Sequence, residues 1–183
     1  MALHWANDPV GQIIQSARAL QPDGLFQAVC LGGQTLNELR ICLAQAESEV
    51  TGGLSPRIAP MGEIRDLGAL LQRAGLALPV ADNITVRTSY KDAFHLMHDL
   101  RNFGETNALN ARLRHPTKRA IFDRCAEIYA KTFAEDGKII ATFEFLFLSG
   151  WAPSADQPKP LRPGSATSRL ADALKTTEKP LRD

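Results

Sequence analysis

Residues 139–151 read Ile-Ile-Ala-Thr-Phe-Glu-Phe-Leu-Phe-Leu-Ser-Gly-Trp. β-Branched and aromatic residues at this density favour a strand. Side chains alternate along a strand, so Phe143, Phe145 and Phe147 point one way and Leu146 and Leu148 the other. Both faces are apolar. Such a strand belongs between neighbours, with cover on each side of its sheet.

The rest of the chain supplies helices and further strands in alternation, which points to the α/β class. Asp8 to Leu20 reads as a helix, with Asp8 able to cap it and Pro9 suited to the first position. Gln21-Pro22-Asp23-Gly24 makes a turn, and Leu25–Leu31 is a short apolar run read as a buried strand. Thr35 with Glu38 has the spacing of a capping box for a helix from Leu36 to about Val50. Residues 52–57 form a loop. A helix follows with Ile64, Leu67, Leu70 and Leu71 inward, stopped by Gly75. Leu78–Thr88 alternates, with Ile84, Val86 and Thr88 on one face and Asn83, Thr85 and Arg87 on the other. Its polar face and Pro79 suit an edge strand. Asp92–Phe103 and Lys118–Phe133 are amphipathic helices.

Composition narrows the class. The 183 residues carry 21 Lys and Arg against 20 Asp and Glu, which argues against a general nucleic-acid footprint and leaves only a local patch open. No apolar run reaches the roughly 18 residues needed to span a bilayer, and residues 1–11 do not read as a signal peptide. Cys30, Cys42 and Cys125 lack the spacing of a zinc site or disulfide framework, which favours a reducing, cytoplasmic setting. Five of the eleven prolines lie in residues 152–183. This Pro-rich stretch reads as a flexible tail to a domain over residues 1–151.

The order of elements, ending in a two-faced strand, resembles the second half of a class I S-adenosylmethionine-dependent methyltransferase, a Rossmann-like α/β fold. There the last strand inserts antiparallel between the two before it, after a helical insertion. Leu3-His4-Trp5 with Asn7-Asp8, and Leu20 through Phe26, resemble the family of the biotin-pathway carrier-protein methyltransferase. The resemblance is closer to the complex I assembly factor five family and its bacterial relatives. It runs through Gly32-Gly33, Thr35-Leu36, Glu38-Leu39-Arg40, Gly52 to Pro56, Arg65 to Gly68, Arg73-Ala74-Gly75, Leu96-Met97, Asp99-Leu100, Gly104 to Ala108, Ser149-Gly150-Trp151 and Gly164 to Thr167.

The resemblance implies that the chain corresponds to the carboxyl-terminal half, with Met1 at the end of the family's fourth strand. Three β–α units, on the order of 90 residues, would precede it. Those units carry the S-adenosylmethionine site, so cofactor binding by this chain alone is not expected. Nor is activity on its own. A miscalled start, a truncated gene and a split protein all remain open, and the missing amino-terminal half or a protein substrate would be the partner. The activity implied is methyl transfer to an unknown acceptor, with a non-catalytic assembly role or protein-arginine hydroxylation as alternatives.

The resemblance puts His4 and Trp5 beside the cofactor pocket, as candidate catalytic residues. Simple packing at the sheet end is the alternative. Gly104, Glu105 and Asn107 lie in the helical insertion as candidate substrate-binding residues, with carboxylate and amide suited to a guanidinium. The alternative is a helix stop at Gly104 with an Asn cap. His95 and His98 have a metal-compatible i, i+3 spacing beside Asp99, but a solvated helix face explains them better, and no metal is expected. Arg40 and Glu38 could face the active site, although a capping box already accounts for Glu38. The tail cations Arg162, Arg169, Lys175, Lys179 and Arg182 fit a solvated end.

Overall fold

The structure is a computed structural model, and it describes residues 3–158, 164–165 and 168–177. A short 3₁₀ turn over Leu3–Trp5 leads into α1 (Pro9–Ala19). Asp8 caps α1 by accepting the Gly11 N–H at 2.8 Å, and Pro9 opens it where no N–H is needed. Then follow β1 (Leu25–Leu31), α2 (Asn37–Thr51), α3 (Ile64–Arg73), β2 (Ala77–Tyr90), α4 (Ala93–Asn102), α5 (Arg119–Thr132), the two-residue β3 (Ala134–Glu135) and β4 (Lys138–Trp151).

The last strand sits in the middle. β4 pairs antiparallel with β1 on one side and β2 on the other, and β3 folds back on its start. This is the arrangement expected from the resemblance: an α/β fold with a helical insertion, α4 and α5, before the last strand. The β2 pairing is irregular between Ala77 and Val80. Pro79 cannot donate to a ladder, and Leu78 beside it takes a left-handed φ of 49°.

Two cores hold these elements. On one face of the sheet Leu146, Leu148 and Cys30 pack under Ile13 of α1, Leu67 and Leu71 of α3, and Leu76. The second core joins α2, α4 and α5 through Leu39, Leu43, Leu96, Leu100, Ile121, Ile128 and Tyr129, and takes in Ile139 and Ala141 from the start of β4. Each fully buried aliphatic side chain contributes about 1.5–3 kcal/mol.

Three expectations need correction. Cover is continuous on one face of β4 only; on the other it buries Ile139 and Ala141 under the second core and then runs out. Phe143 and Phe145 are half-buried and Phe147 is 39% exposed, because α1 and α3 both lie against the Leu146–Leu148 face. Register extends the open face to its neighbours. Leu31 and Ile84 oppose Phe145, Val86 opposes Phe143, and residues directly opposed share a face. Ile84 is therefore 54% exposed, and only Cys30 and Leu31 of β1 are buried. The third correction concerns the capping box. Neither Thr35 nor Glu38 caps α2; both turn toward β4.

The chain divides into two compact units, Met1–Pro153 and Ser154–Asp183. Within the second, α6 is a single turn over Leu170–Ala173. Parts of the Pro-rich stretch, residues 159–163, 166–167 and 178–183, lie outside the described residues, and so do Met1, Arg162, Lys179 and Arg182. No helix among the described residues is long and apolar enough to cross a membrane.

Candidate functional site

α4 ends in a Schellman turn. The Gly104 N–H donates to the Arg101 carbonyl at 3.1 Å and the Glu105 N–H to the Leu100 carbonyl at 2.9 Å. Gly104 takes φ +82°, a conformation that a side chain disfavours. That reversal delivers Glu105 to the 3₁₀ turn at the other end of the unit. Glu105 Oε1 lies 3.1 Å from His4 Nε2 and accepts the Trp5 Nε1–H at 3.4 Å. The His4 side chain is 1% exposed and the Glu105 side chain 19%. The two rings are tilted by 45° at 5.6 Å between centroids. Four of the five candidate site residues, His4, Trp5, Gly104 and Glu105, thus meet in one place.

Two polar atoms in this cluster are uncommitted. His4 Nδ1 is buried with no hydrogen-bond partner. Glu105 Oε2 makes no hydrogen bond to the described residues. Glu105 lines a cleft of about 410 Å³ whose wall also includes Trp5, Leu36, Met61, Met97, Arg101 and Asn107. It also borders a second hollow, about 570 Å³, on the open Phe143–Phe145 face.

Asn107 has another task. Its amide donates to the Pro56 carbonyl at 2.9 Å, and its oxygen accepts the Leu109 N–H at 3.2 Å. It ties the insertion to the loop after α2. A larger tie lies beside it and was not anticipated from the sequence. Glu47 accepts Arg57 Nε at 3.0 Å and Nη2 at 2.7 Å, and also the Ser55 N–H and hydroxyl. Arg57 Nη1 then reaches Thr117 at 3.1 Å. Burial alone would raise the Glu47 carboxyl, but the hydrogen bonds from Arg57 and Ser55 and the Arg57 charge outweigh it and hold it below the usual range. The signal available in sequence was an Arg closing the Gly-Gly-Leu-Ser-Pro loop after an acidic helix end.

The other candidates are scattered. His95 Nδ1 lies 2.9 Å from Asp92 and His98 Nδ1 lies 3.1 Å from Asn102, both on the exposed side of α4. No group of three potential metal ligands occurs among the described residues. Burial pushes the Cys42 thiol up to about 11, with the Glu38 charge adding to it, and the Cys125 thiol up to about 12. They are inert core groups.

S-adenosylmethionine needs a glycine-bearing strand-to-helix turn with open space above it. The turn here is Gly32-Gly33, between β1 and α2. A Cβ on Gly32 would meet Glu144 Oε2 at 2.5 Å, and one on Gly33 would meet Glu63 Oε1 at 2.2 Å. Carboxylates of the chain itself fill the space, so these residues do not fit the cofactor.

No family model matches the chain. Comparison with known proteins finds relatives over almost all of it. Arginine-hydroxylase NDUFAF5, mitochondrial, of Danio rerio is 39% identical over 177 residues, 96% of this chain and 54% of the relative. Malonyl-[acyl-carrier protein] O-methyltransferase of Methylovorus is 33% identical over 155 residues, 85% of this chain and 50% of the relative. The chain is homologous to both. It spans about half the length of these curated relatives. A crystal structure from Bacillus halodurans, provisionally assigned as a methyltransferase, is 14% identical, covering 84% of this chain and 67% of that one, at a TM-score of 0.48.

Proposed function

We propose that this homologue of methyltransferases and arginine hydroxylases forms the acceptor-binding part of a protein-modifying enzyme. In this reading its cleft receives a guanidinium side chain from a protein substrate. One observation carries it. Glu105 lines the cleft and is held there through one oxygen by His4 and Trp5, while its second oxygen has no hydrogen-bond partner among the described residues. A carboxylate fixed in this way suits a planar cation that offers parallel N–H donors. Glu105 would bind and orient the cation. His4 and Trp5 would hold that carboxylate in place.

The reaction we favour is methyl transfer in a longer protein, of which this chain is a carboxyl-terminal piece inactive by itself. S-adenosylmethionine, held by the remaining part, would supply the methyl group. Residues 1–151 would then be a partial methyltransferase domain and 152–183 a flexible tail. The free edge of β1 and the open apolar face support a partner half. A cytoplasmic location suits three free buried thiols. Arginine hydroxylation is the second reading, favoured by the name and the 39% identity of the Danio rerio relative. It uses the same cleft.

Titration of the 183-residue chain with Nα-acetyl-arginine amide, followed by NMR, tests the shared part. Shifts confined to His4, Trp5 and the Glu105 region are expected. Malonate monoester is the contrasting probe. Binding of the ester and not of the arginine amide would replace this reading with a carboxylate acceptor.

A further inference from the structure

Away from the His4–Glu105 pair, Thr35, Glu38, Glu47, Thr142 and Glu144 are buried polar or charged residues. Glu47 serves the loop after α2. The other four converge on a single turn, residues 32–36. Thr35 Oγ1 accepts the Glu144 N–H at 3.1 Å and donates to the Glu144 carbonyl at 3.2 Å. The Glu144 carboxylate accepts the Gln34 N–H at 3.0 Å and the Asn83 amide at 2.9 Å. Glu38 accepts the Thr142 N–H at 3.1 Å and the Thr142 hydroxyl. The Leu36 N–H itself donates to the Thr142 carbonyl at 2.8 Å. Arg40 donates to the carbonyls of Gly33 and Thr35.

The residue these bonds hold is Leu36, at φ 56° and ψ 29°. That is the left-handed region, which a leucine disfavours because its Cβ crowds the following carbonyl. Starting α2 does not require it. A residue in the N-cap position is ordinarily extended and contributes a side-chain oxygen, whereas Leu36 contributes none. Strained backbone persists where its surroundings over-determine it, and such sites recur at ligand clamps. The outcome of the strain is specific. The Leu36 side chain, 6% exposed, forms part of the wall of the cleft that Glu105 and Trp5 also line.

We propose that Leu36 is a specificity-determining residue, locked by Thr35, Glu38, Thr142 and Glu144 so that its side chain limits the depth open to an acceptor head group beside Glu105. This rests on the guanidinium reading of the cleft given above.

The test uses the 183-residue chain and two probes, Nα-acetyl-arginine amide and its Nω,Nω-dimethyl analogue. The parent is expected to bind the unmodified probe at least about tenfold more tightly, since a methylene-sized mismatch in a closed pocket discriminates by roughly 10–200-fold. Leu36→Ala keeps the strained backbone but removes the wall. Leu36→Gly removes both wall and strain, and guards against loss of folding, because glycine adopts this conformation freely. Both variants should bring the two affinities within about threefold, and Leu36→Gly should melt no lower than Leu36→Ala. A preference that stays at the parent value in either folded variant, in a chain whose parent binds the arginine probe, overturns the role of Leu36 alone. A parent that binds neither probe overturns the guanidinium reading and this inference together.

Discussion

His4 Nε2 and Glu105 Oε1 lie 3.1 Å apart although 101 residues separate them in the chain. A 3₁₀ turn carries one and the Schellman turn after α4 carries the other. The pair is a direct link between the start of the chain and the helical insertion.

Glu105 therefore has two separable roles. Glu105→Ala leaves the buried His4 Nε2 and Trp5 Nε1 without an acceptor and should lower stability by about 1–3 kcal/mol. Glu105→Gln keeps an oxygen for both donors but loses the charge. It should melt near the parent temperature and bind Nα-acetyl-arginine amide at least about tenfold more weakly. Equal binding by the parent and Glu105→Gln would remove the carboxylate from the recognition scheme.

Two glycines should fail for different reasons. Around Gly104 a Cβ meets nothing within 4 Å, so Gly104→Ala carries only the conformational penalty of φ +82°, about 1–2 kcal/mol. Gly32→Ala has no unusual φ but would push a Cβ to 2.5 Å from Glu144 Oε2 and 2.9 Å from Leu146 Cγ. Both neighbours are buried, so they cannot yield freely, and overpacking of this kind costs about 1–3 kcal/mol. Adding Glu144→Ala should relieve part of the second defect and none of the first. Thermal unfolding of the single and double variants measures this directly.

The contrast explains what the sequence could and could not convey. The apolar pattern of residues 139–151 was enough to put that strand inside the sheet, and Asp8-Pro9 was enough to start α1. A face that is apolar, however, signals only that cover is wanted. Whether helices supply it depends on which side they cross, and here both α1 and α3 lie on the Leu146 side. Thr35 and Glu38 match a capping box because the local spacing is identical whether the side chains bond to their own helix or to a strand 104 residues later. His4, Trp5 and Glu105 became candidates through family resemblance, and their meeting is a tertiary fact that no local pattern encodes. Asn107 was legible as a cap for the residues after it, but its bond to Pro56 was not.

The Glu47–Arg57 pair predicts an acid limit to stability. The Glu47 carboxyl is held below its ordinary value of 4.5 in the folded chain. A depressed folded value means that the stabilisation is complete above the unfolded value and is lost as the pH falls through the folded one. The loss should therefore begin below about pH 4.5. Glu47→Gln should abolish that part of the acid sensitivity. It leaves Arg57 without its counter-charge, with side-chain exposure of only 13%, and should cost about 3–5 kcal/mol at neutral pH. Denaturant unfolding from pH 3 to 7 checks both statements. An acid profile that is the same for parent and variant would show that other carboxylates set the limit.

The open sheet face makes the last prediction. Among the described residues β1 is paired on one side only, and the open face of the same sheet carries Ile84 at 54% and Val86 at 41% exposure on β2, and Phe147 at 39% and Trp151 at 37% on β4. An unpaired edge next to an apolar face of this kind promotes association with other chains. The 183-residue chain should run as oligomers in light scattering, increasingly so at higher concentration. Phe147→Lys places a charge in the middle of that face at a position already partly in water, so it should shift the population toward monomer with little change in melting temperature. Salt separates the two contributions. Raising ionic strength screens charges but not apolar contact, so the parent oligomers should persist at 1 M salt, while the monomer gained by Phe147→Lys should partly re-associate. A parent chain that is monomeric at all concentrations would mean that this face tolerates water despite its composition, and would remove the structural support for a partner half.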